Sequence, residues 1–266
     1  MSTAPTPALR RATPSAGYIL APNPGPMSLE GTNSYVVRAP GHPTAVVVDP
    51  GPADETHLQA LAGAGPVELI LITHRHADHT AGAPRLHELT GAPVRAADPA
   101  HCHGGPLLAA GERIQAAGLE IAVVPAPGHT SDSMCFHLPD DGPAGSVLTG
   151  DTILGRGTTM LDYPDGTLGD YLATLARLER LGPAAVLPAH GPPLPSLEGS
   201  ARDYLRHRED RLVQIRAVLG RLGRDASVGE VTDAVYADVG RSVRRAAETS
   251  VAAQLHYLRS ESGTVG

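Results

Sequence analysis

Short apolar runs rich in β-branched residues alternate with glycine- and proline-rich turns from Tyr18 to about residue 190. Runs of this kind predict β-strands. Apolar residues at helical spacing lie between some of the runs, and they predict helices at about 54–64, 80–90 and 168–181. We therefore expect an α/β fold in which helices flank sheets. The runs that predict strands are SYVVRA, TAVVVDPG, VELILITH, APVRAA, LEIAVVPAPGH, SMCFHLP, SVLTGD and AAVLPAHG.

The pattern changes near residue 200, where helical periodicity replaces the short runs. DYLRHREDRLVQIRAVLGRLG predicts a long amphipathic helix, VGEVTDAVYADV a second helix capped by Ser227, and SVRRAAETSVAAQLHYLRSE a third. The expected domain organisation is a disordered leader at 1–17, a catalytic domain at 18–199 and a small helical subdomain at 200–266. The apolar face expected for the long helix comprises Leu205, Leu212, Ile215, Leu219 and Leu222.

Four of the strand-like runs end on a side chain that can bind a metal. These ends are His74, His129, Asp151 and His190. Side chains at strand ends project into the crevice where α/β folds place their sites. One such ending is readily explained by chance, whereas four argue for a shared site.

The segment THRHADHTAG holds the first of these ends and carries His74, His76, Asp78 and His79 within ten residues. A polar loop whose histidines cap a helix or face solvent is the alternative for a lone histidine. Transition metals with nitrogen and oxygen ligands need imidazoles and carboxylates that converge from rigid positions. Because three further strand ends offer such ligands, the segment favours two adjacent metal positions.

His-x-His-x-Asp-His is the hallmark of the metallo-β-lactamase superfamily, which this sequence resembles residue by residue. The resemblance implies an αββα sandwich with a site at one edge of its sheets. It also implies two Zn²⁺ ions per chain, held by two sets of three ligands and one bridging carboxylate. The first set is His74, His76 and His129, the second set is Asp78, His79 and His190, and the bridging residue is Asp151.

Within the superfamily the sequence is most similar to the beta-lactamase-like protein 2 group. The similarity rests on PNPGPMSLEGTNSYVV, GDTILGRGTTMLDY, LPAHGPP and YLRHREDRLVQI. It implies a winged-helix-like C-terminal subdomain and endoribonuclease activity on single-stranded RNA. Glyoxalase II thioesterases typically carry a Cys-Gly-Arg stretch where this chain has Gly157, Thr158 and Thr159. Zinc β-lactamases of the commonest subclass have a cysteine in place of Asp151.

The expected activity is metal-dependent hydrolysis. Two divalent ions that share a water lower its pKa and yield a hydroxide nucleophile. Asp78 is expected to orient this nucleophile, and Arg156, five residues after Asp151, to bind an anionic substrate. RNA cleavage is the first hypothesis. The alternative is a thioesterase of the hydroxyacylglutathione hydrolase type or another hydrolase of small esters or amides, including β-lactams.

Charge and aromatic content bear on the choice of substrate. The net charge is −7, of which residues 1–199 contribute −9 and residues 200–266 contribute +2, and only 3% of residues are aromatic. Single-strand binders usually combine a basic groove with stacking aromatics, so RNA binding would depend on the arginines of the C-terminal helices.

A non-catalytic binding module is an alternative class of protein, but it would not need seven metal ligands. Diiron flavoproteins of the superfamily, a redox alternative, typically have Glu in place of His76.

The remaining features concern compartment and partners. Cys102 and Cys135 do not form a disulfide framework, and no secretory signal or membrane-length apolar run is present. We expect a cytoplasmic protein with a small-molecule or single-stranded RNA substrate and no membrane association; a homodimer is left open. AHCHGGP, with His101, Cys102 and His103, lacks the further ligands of a zinc site and is interpreted as a loop.

Overall fold

The first sheet of the computed structural model, which describes residues 8–237 and 244–263, contains six strands in sequential order. Pairing is antiparallel from the first strand to the fourth and parallel from the fourth to the sixth. The strands are β1 (Arg10–Arg11), β2 (Ala16–Leu20), β3 (Asn33–Val37), β4 (Ala45–Val48), β5 (Val67–Leu71) and β6 (Val94–Arg95).

The second sheet has five strands in the order β11-β10-β9-β8-β7. The pair β10 and β11 is parallel, and the other neighbours are antiparallel. Each of the eight predicted runs contains a strand, whereas β1, β2 and β7 had not been predicted. The strands are β7 (Arg113–Ala116), β8 (Leu119–Pro125), β9 (Met134–Leu138), β10 (Ser146–Gly150) and β11 (Ala185–Pro188).

Seven α-helices and a short 3₁₀ helix, Pro99–His101, complete the described part of the chain. The predicted helix at 80–90 is two helices, because the metal-ligand turn forms a short helix of its own before Gly82. The α-helices are α1 (Glu55–Ala62), α2 (Ala77–Thr80), α3 (Ala83–Thr90), α4 (Leu168–Glu179), α5 (Leu197–Leu222), α6 (Val228–Val235) and α7 (Arg244–Gly263). No helix among the described residues combines the length and apolar composition needed to cross a membrane.

Alternation along the strands sorts the apolar side chains into three layers. Val37, Val46 and Val48 face the second sheet, where they pack with residues such as Phe136 and Leu148. Their neighbours in sequence, such as Val36 and Val47, pack against α1 and α3. The outer face of the second sheet packs against α4 to α7. Because side chains of a strand alternate between its two faces, both sheets are buried on both sides, and the αββα sandwich is confirmed.

The described N-terminal residues correct the prediction of a disordered leader over 1–17. Arg10 and Arg11 pair with Tyr18 and Gly17, and the buried Asp141 carboxylate accepts hydrogen bonds from Thr13 Oγ1 at 2.5 Å and from Ser15 N at 2.9 Å. These contacts come from residues far along the chain, so local composition does not reveal them. Residues 1–7 lie outside the described residues.

The C-terminal residues confirm the predicted helices and the Ser227 cap, where a capping box with Glu230 is present. The boundary at 199/200 stays a prediction, since α5 runs continuously through it. No strand lies among the described residues after Pro188, and residues 238–243 are not described, so the winged-helix-like character also stays a prediction. Leu222 was wrongly assigned to the buried face of the long helix, because it is 51% exposed.

Asp141 offers a test of how much the N-terminal segment contributes to stability. Its carboxylate also accepts a hydrogen bond from Ser146 Oγ at 2.6 Å, so Asp141→Ala removes three hydrogen bonds to a buried charge. We expect the free energy of unfolding to fall by about 3 kcal/mol. Urea denaturation at fixed zinc concentration measures it. The adjacent Asp140 is exposed, and Asp140→Ala should change the value by less than about 0.5 kcal/mol; equal effects would contradict the prediction.

Candidate metal centre

The turn after β5 brings four of the predicted ligands to one edge of the sandwich. His74 follows the buried end of β5, His76 occupies the N-cap of α2 in extended conformation, and Asp78 and His79 lie within α2. Thr80 Oγ1 donates to the carbonyl oxygen of His76 at 3.0 Å and closes the turn. The end of β5 and one helical turn therefore place three imidazoles and a carboxylate at the same edge of the sandwich.

Three imidazoles form the first group of donor atoms. His76 Nδ1 lies 3.0 Å from His74 Nε2 and 3.1 Å from His129 Nε2. His129 comes from the loop between β8 and β9, four residues after Pro125 ends β8. Three nitrogens at these separations converge on one point, as three ligands of a single metal ion do.

A second group lies beside the first and contains one carboxylate and two imidazoles. Asp78 Oδ2 lies 3.3 Å from His190 Nε2 and 3.7 Å from His79 Nε2. Both histidines are fully buried. His190 follows the end of β11 by two residues and thus enters from the opposite sheet to Asp78 and His79.

The Asp151 carboxylate, directly after β10, lies between the two groups. Its Oδ2 is 3.7 Å from His129 Nε2 in the first group. Its Oδ1 is 3.7 Å from His79 Nε2 and 3.3 Å from His190 Nε2 in the second group. One oxygen faces each group, which is the arrangement that a bridging carboxylate requires. The structure thus brings together all seven residues predicted as ligands.

Backbone carbonyls orient two of the imidazoles. His129 Nδ1 lies 2.6 Å from the carbonyl oxygen of Met160, and His190 Nδ1 lies 3.1 Å from that of Gly31. A carbonyl oxygen only accepts hydrogen bonds, so Nδ1 is the donor in both rings. In its neutral form each ring therefore directs the lone pair of Nε2 into the cluster, as metal-binding histidines do.

Asp49 is a functional residue that the sequence interpretation missed. Its Oδ2 lies 2.9 Å from His79 Nδ1, and its carboxylate accepts hydrogen bonds from Thr73 N at 2.8 Å and Thr73 Oγ1 at 2.6 Å. Asp49 has a φ of +52°, a conformation that short polar side chains tolerate comparatively well. Its signal was present in TAVVVDPG, a fifth strand-like run that ends on a carboxylate.

Asp162, in the loop before α4, contacts the ring of His76. Its Oδ2 lies 3.3 Å from His76 Nε2 and 2.5 Å from an Arg75 guanidinium nitrogen. Arg75 also pairs with Asp165, and the backbone N–H of Asp162 donates to the His129 carbonyl at 2.8 Å. The loop that carries Asp162 is therefore fixed to the imidazole of His76 and to the backbone of His129. Asp162 lies in the stretch GDTILGRGTTMLDY, but the sequence analysis assigned it no role.

The crowded donors perturb one another's protonation. Burial and the neighbouring imidazoles hold the pKa of His74 well below its usual value. Burial also acts to lower the pKa of His79, but the carboxylates of Asp49 and Asp151 outweigh it and raise that pKa to about 9. Positive charge is thus disfavoured at His74 and favoured at His79, beside the carboxylates.

Unpartnered buried atoms test whether the cluster fits a cation. His79 Nε2, His190 Nε2 and Asp151 Oδ1 are buried, and no described residue forms a hydrogen bond with them. Leaving such a group unsatisfied costs about 1–3 kcal/mol. All three point at other donor atoms of the cluster, where a divalent cation would satisfy them together. The nitrogen and oxygen donor set suits zinc and other borderline transition metals.

A cleft of 410 Å³ opens onto the cluster at His129 and Asp151. Arg156, the predicted substrate-binding residue, lies at its rim, where the side chain is 59% exposed and forms an ion pair with Glu30 at 2.7 Å. The cleft lies between the loop after Asp151 and the C-terminal helices. It therefore gives a substrate access to the cluster.

AHCHGGP does not add a further metal site among the described residues. The His103 ring stacks on His87 at 6.0 Å, and Cys102 Sγ contacts the backbone of Ala96. The groups of three or more potential ligands in the described part of the chain are the two described above. This agrees with the interpretation of the segment as a loop.

Comparison with known proteins places these features in a family. The family described as the metallo-beta-lactamase superfamily matches residues 27–190. The lactamase-like protein vrtG of Penicillium aethiopicum is 31% identical over 98% of this chain and 86% of its own length. The atrochrysone carboxyl ACP thioesterase AgnL7 of Paecilomyces divaricatus is 30% identical over 87% of this chain and 75% of its own length.

A solved structure supports the fold over nearly the whole chain. A beta-lactamase domain protein from Burkholderia ambifaria superposes with a TM-score of 0.79 at 21% identity. The match covers 98% of this chain and 90% of that protein. The similarity thus extends beyond the sandwich to the C-terminal helices.

Asp49 provides a test of the second group of donors. Asp49→Asn removes the charged acceptor of His79 Nδ1 and should weaken binding of the second zinc equivalent about 10–100-fold. Calorimetric titration of metal-free protein measures this affinity. Asp54→Asn is the matched control, because Asp54 caps α1 and asparagine caps equally well. Unchanged affinity for both equivalents in Asp49→Asn would contradict the role assigned to this carboxylate.

Proposed function

The chain belongs to the metallo-β-lactamase superfamily and is a hydrolase, and we propose that its substrates are acyl thioesters. The observation that carries this proposal is the similarity to AgnL7, which is named an acyl carrier protein thioesterase. A second relative of that activity name, AacuM of Aspergillus aculeatus, is 29% identical over 90% of this chain. Both matches extend into the C-terminal helices that form one wall of the cleft.

The proposed cofactor is a pair of Zn²⁺ ions. His74, His76 and His129 would hold one ion, Asp78, His79 and His190 the other, and Asp151 would contact both. When bound, the ions would supply Lewis acidity to the substrate carbonyl and acidify the attacking water. The unpartnered atoms of His79, His190 and Asp151 support this assignment.

Asp78 is the proposed acceptor of the proton that the attacking water loses. Burial acts to raise its pKa, but His190 and His79 outweigh burial and hold it below the usual value. The carboxylate is therefore ionised, and its side chain is 33% exposed. The leaving group of a thioester is a thiolate with a pKa near 8.5, which departs without a general acid. An amide would need such an acid for its amine.

RNA cleavage is the second candidate. It is supported by the resemblance of the loop after Asp151 to the endoribonuclease group, and by the three arginines that line the cleft, Arg156, Arg208 and Arg211. Tyr236 is the one Phe, Trp or Tyr side chain among the described cleft residues. A single-stranded nucleic acid would therefore have few stacking partners, and the net charge of −7 opposes it.

Metal analysis tests the proposed cofactor. After zinc loading and dialysis, plasma mass spectrometry should find two ions per chain and show whether other metals compete. His76→Ala and Asp151→Ala should each lower the zinc content and reduce hydrolysis more than about 100-fold. His103→Ala, outside the cluster, should retain both ions and full activity. Activity of the chelated, metal-free protein at the wild-type level would contradict the proposal.

A side-by-side assay tests the substrate. Zinc-loaded protein is compared on an acyl thioester of a carrier protein, an acylglutathione, single-stranded RNA and a chromogenic β-lactam. We expect kcat/KM for carrier-bound or small thioesters to exceed that for the β-lactam by about 100-fold or more, because sulfur leaves without protonation. RNA should stay intact.

The Asp151→Ala variant is the control for contaminating hydrolases in that assay. A true activity disappears in the variant, whereas an impurity persists. Cleavage of RNA that is lost in Asp151→Ala, with thioesters untouched, would establish the second candidate and overturn the first.

A further inference from the structure

Arg208 is a buried charge in the wall of the cleft. It lies on the inner face of α5, its exposed fraction is 4%, and it lines the same cavity as His129 and Asp151. Its guanidinium donates to the carbonyl oxygen of Thr159 and lies over the Tyr171 ring at 5.1 Å. These contacts fix the group without neutralising it.

The charge of Arg208 is not compensated within the described part of the chain. Its Nε is buried without a hydrogen-bond partner, and no described carboxylate forms an ion pair with it. Two exposed arginines of the same helix behave differently, since Arg202 pairs with Glu198 and Arg206 with Asp203. Arginine does not lose its proton when buried. Burying an unpaired guanidinium in a partly desolvated wall therefore costs free energy, and an anion bound beside it would offset that cost.

Arg211 adds a second positive charge to the same wall. It is half-buried, its guanidinium lies 4.5 Å from the centre of the Tyr236 ring, and its Nη1 donates to Gln214 Oε1 at 2.8 Å. No ion pair of Arg211 is present among the described residues. Arg156 at the rim is already paired with Glu30, so the unneutralised charge of the cleft lies on α5.

The rest of the cleft is largely apolar. Its lining includes Met27, Leu29, Leu154 and Met160. A substrate that fills it would place an apolar body against these side chains, a hydrolysable bond at the metal cluster and an anionic group against α5. The geometry thus describes an acyl thioester with an anionic end.

We propose that Arg208, assisted by Arg211, binds a carboxylate or phosphate of the substrate and makes the enzyme selective for anionic thioesters. The inference rests on the proposed thioester hydrolysis and specifies the class of substrate. The anion has two chemical sources, a terminal carboxylate of the acyl chain or a phosphate on the thiol. In both cases the planar guanidinium fork matches the paired oxygens.

Two matched substrate pairs separate these sources. Glutaryl and pentanoyl thioesters of N-acetylcysteamine differ in an acyl carboxylate, and pentanoyl thioesters of pantetheine and its 4′-phosphate differ in a phosphate. We expect wild type to prefer the anionic member of one pair about tenfold or more in kcat/KM. Arg208→Gln should abolish that preference by raising KM for the anionic member more than for the neutral member. A preference that persists in Arg208→Gln, or is absent from wild type in both pairs, overturns the proposal.

Arg206→Gln is the matched control, because Arg206 lies on the exposed face of α5 outside the cleft. It should keep the wild-type preference. Arg208→Lys retains the charge without the guanidinium fork, and it should keep only part of the preference for the anionic substrate. Arg211→Gln should reduce that preference about threefold or more. If Arg208→Gln does not fold, a preference that is undiminished in both Arg208→Lys and Arg211→Gln overturns the proposal.

Binding of benzenesulfonate tests the anion site independently of hydrolysis. The sulfonate is a permanent anion and a poor metal ligand, and its ring suits the apolar walls. Calorimetry on the zinc-loaded protein should show a Kd about tenfold weaker in Arg208→Gln than in wild type and Arg206→Gln. Equal affinity in all three would contradict the anion site. Binding that depends on Arg208, with no thioester hydrolysed, would instead refute only the proposed reaction.

Discussion

The constraint on which the structure depends is the convergence of seven donor side chains on two adjacent points. Within each group the donor atoms lie within 4.8 Å of one another, and several of them are buried without another partner. Side chains this close keep their positions because hydrogen-bond partners on the far side of the rings orient them. Asp49 and the carbonyls of Gly31 and Met160 serve this purpose. The sheets position these supports, because each lies at or near the edge where the ligand-bearing strands end.

The seven candidate ligands and most of the strands were predictable because both depend on local sequence. A short apolar run that ends in a ligand residue combines a strand signal and a chemical signal in a few positions. His74, Asp151 and His190 all occur in such runs. Asp49 carries the same pair of signals and was overlooked because its carboxylate supports a ligand instead of joining the cluster. Asp162 follows no strand, so its position beside His76 depends on a loop path that local sequence does not encode.

The misassigned segments depend on distant contacts. Residues 10–17 have the composition of a disordered leader, yet the Asp141 carboxylate binds Thr13 and Ser15 from more than a hundred positions away. The inner face of α5 was predicted from four leucines and Ile215 alone. Its buried positions also include Tyr204 and Arg208, which are polar enough to be taken for surface residues in an amphipathic pattern. A charge on a buried face is visible only once its surroundings are known.

The C-terminal helices also shape the active-site loop. Tyr204 on α5 accepts a hydrogen bond from Leu154 N at 3.0 Å and donates to the carbonyl oxygen of Gly157 at 3.0 Å, while Arg208 holds that of Thr159. The loop after Asp151 is therefore fixed by the same helix that contributes charge to the cleft. This arrangement separates two tasks within one site. In the proposed function the sandwich edge would hold the metal ions, whereas α5 supplies the shape and charge of the cleft wall. Substrate preference would then be able to change while the seven candidate ligands stay the same.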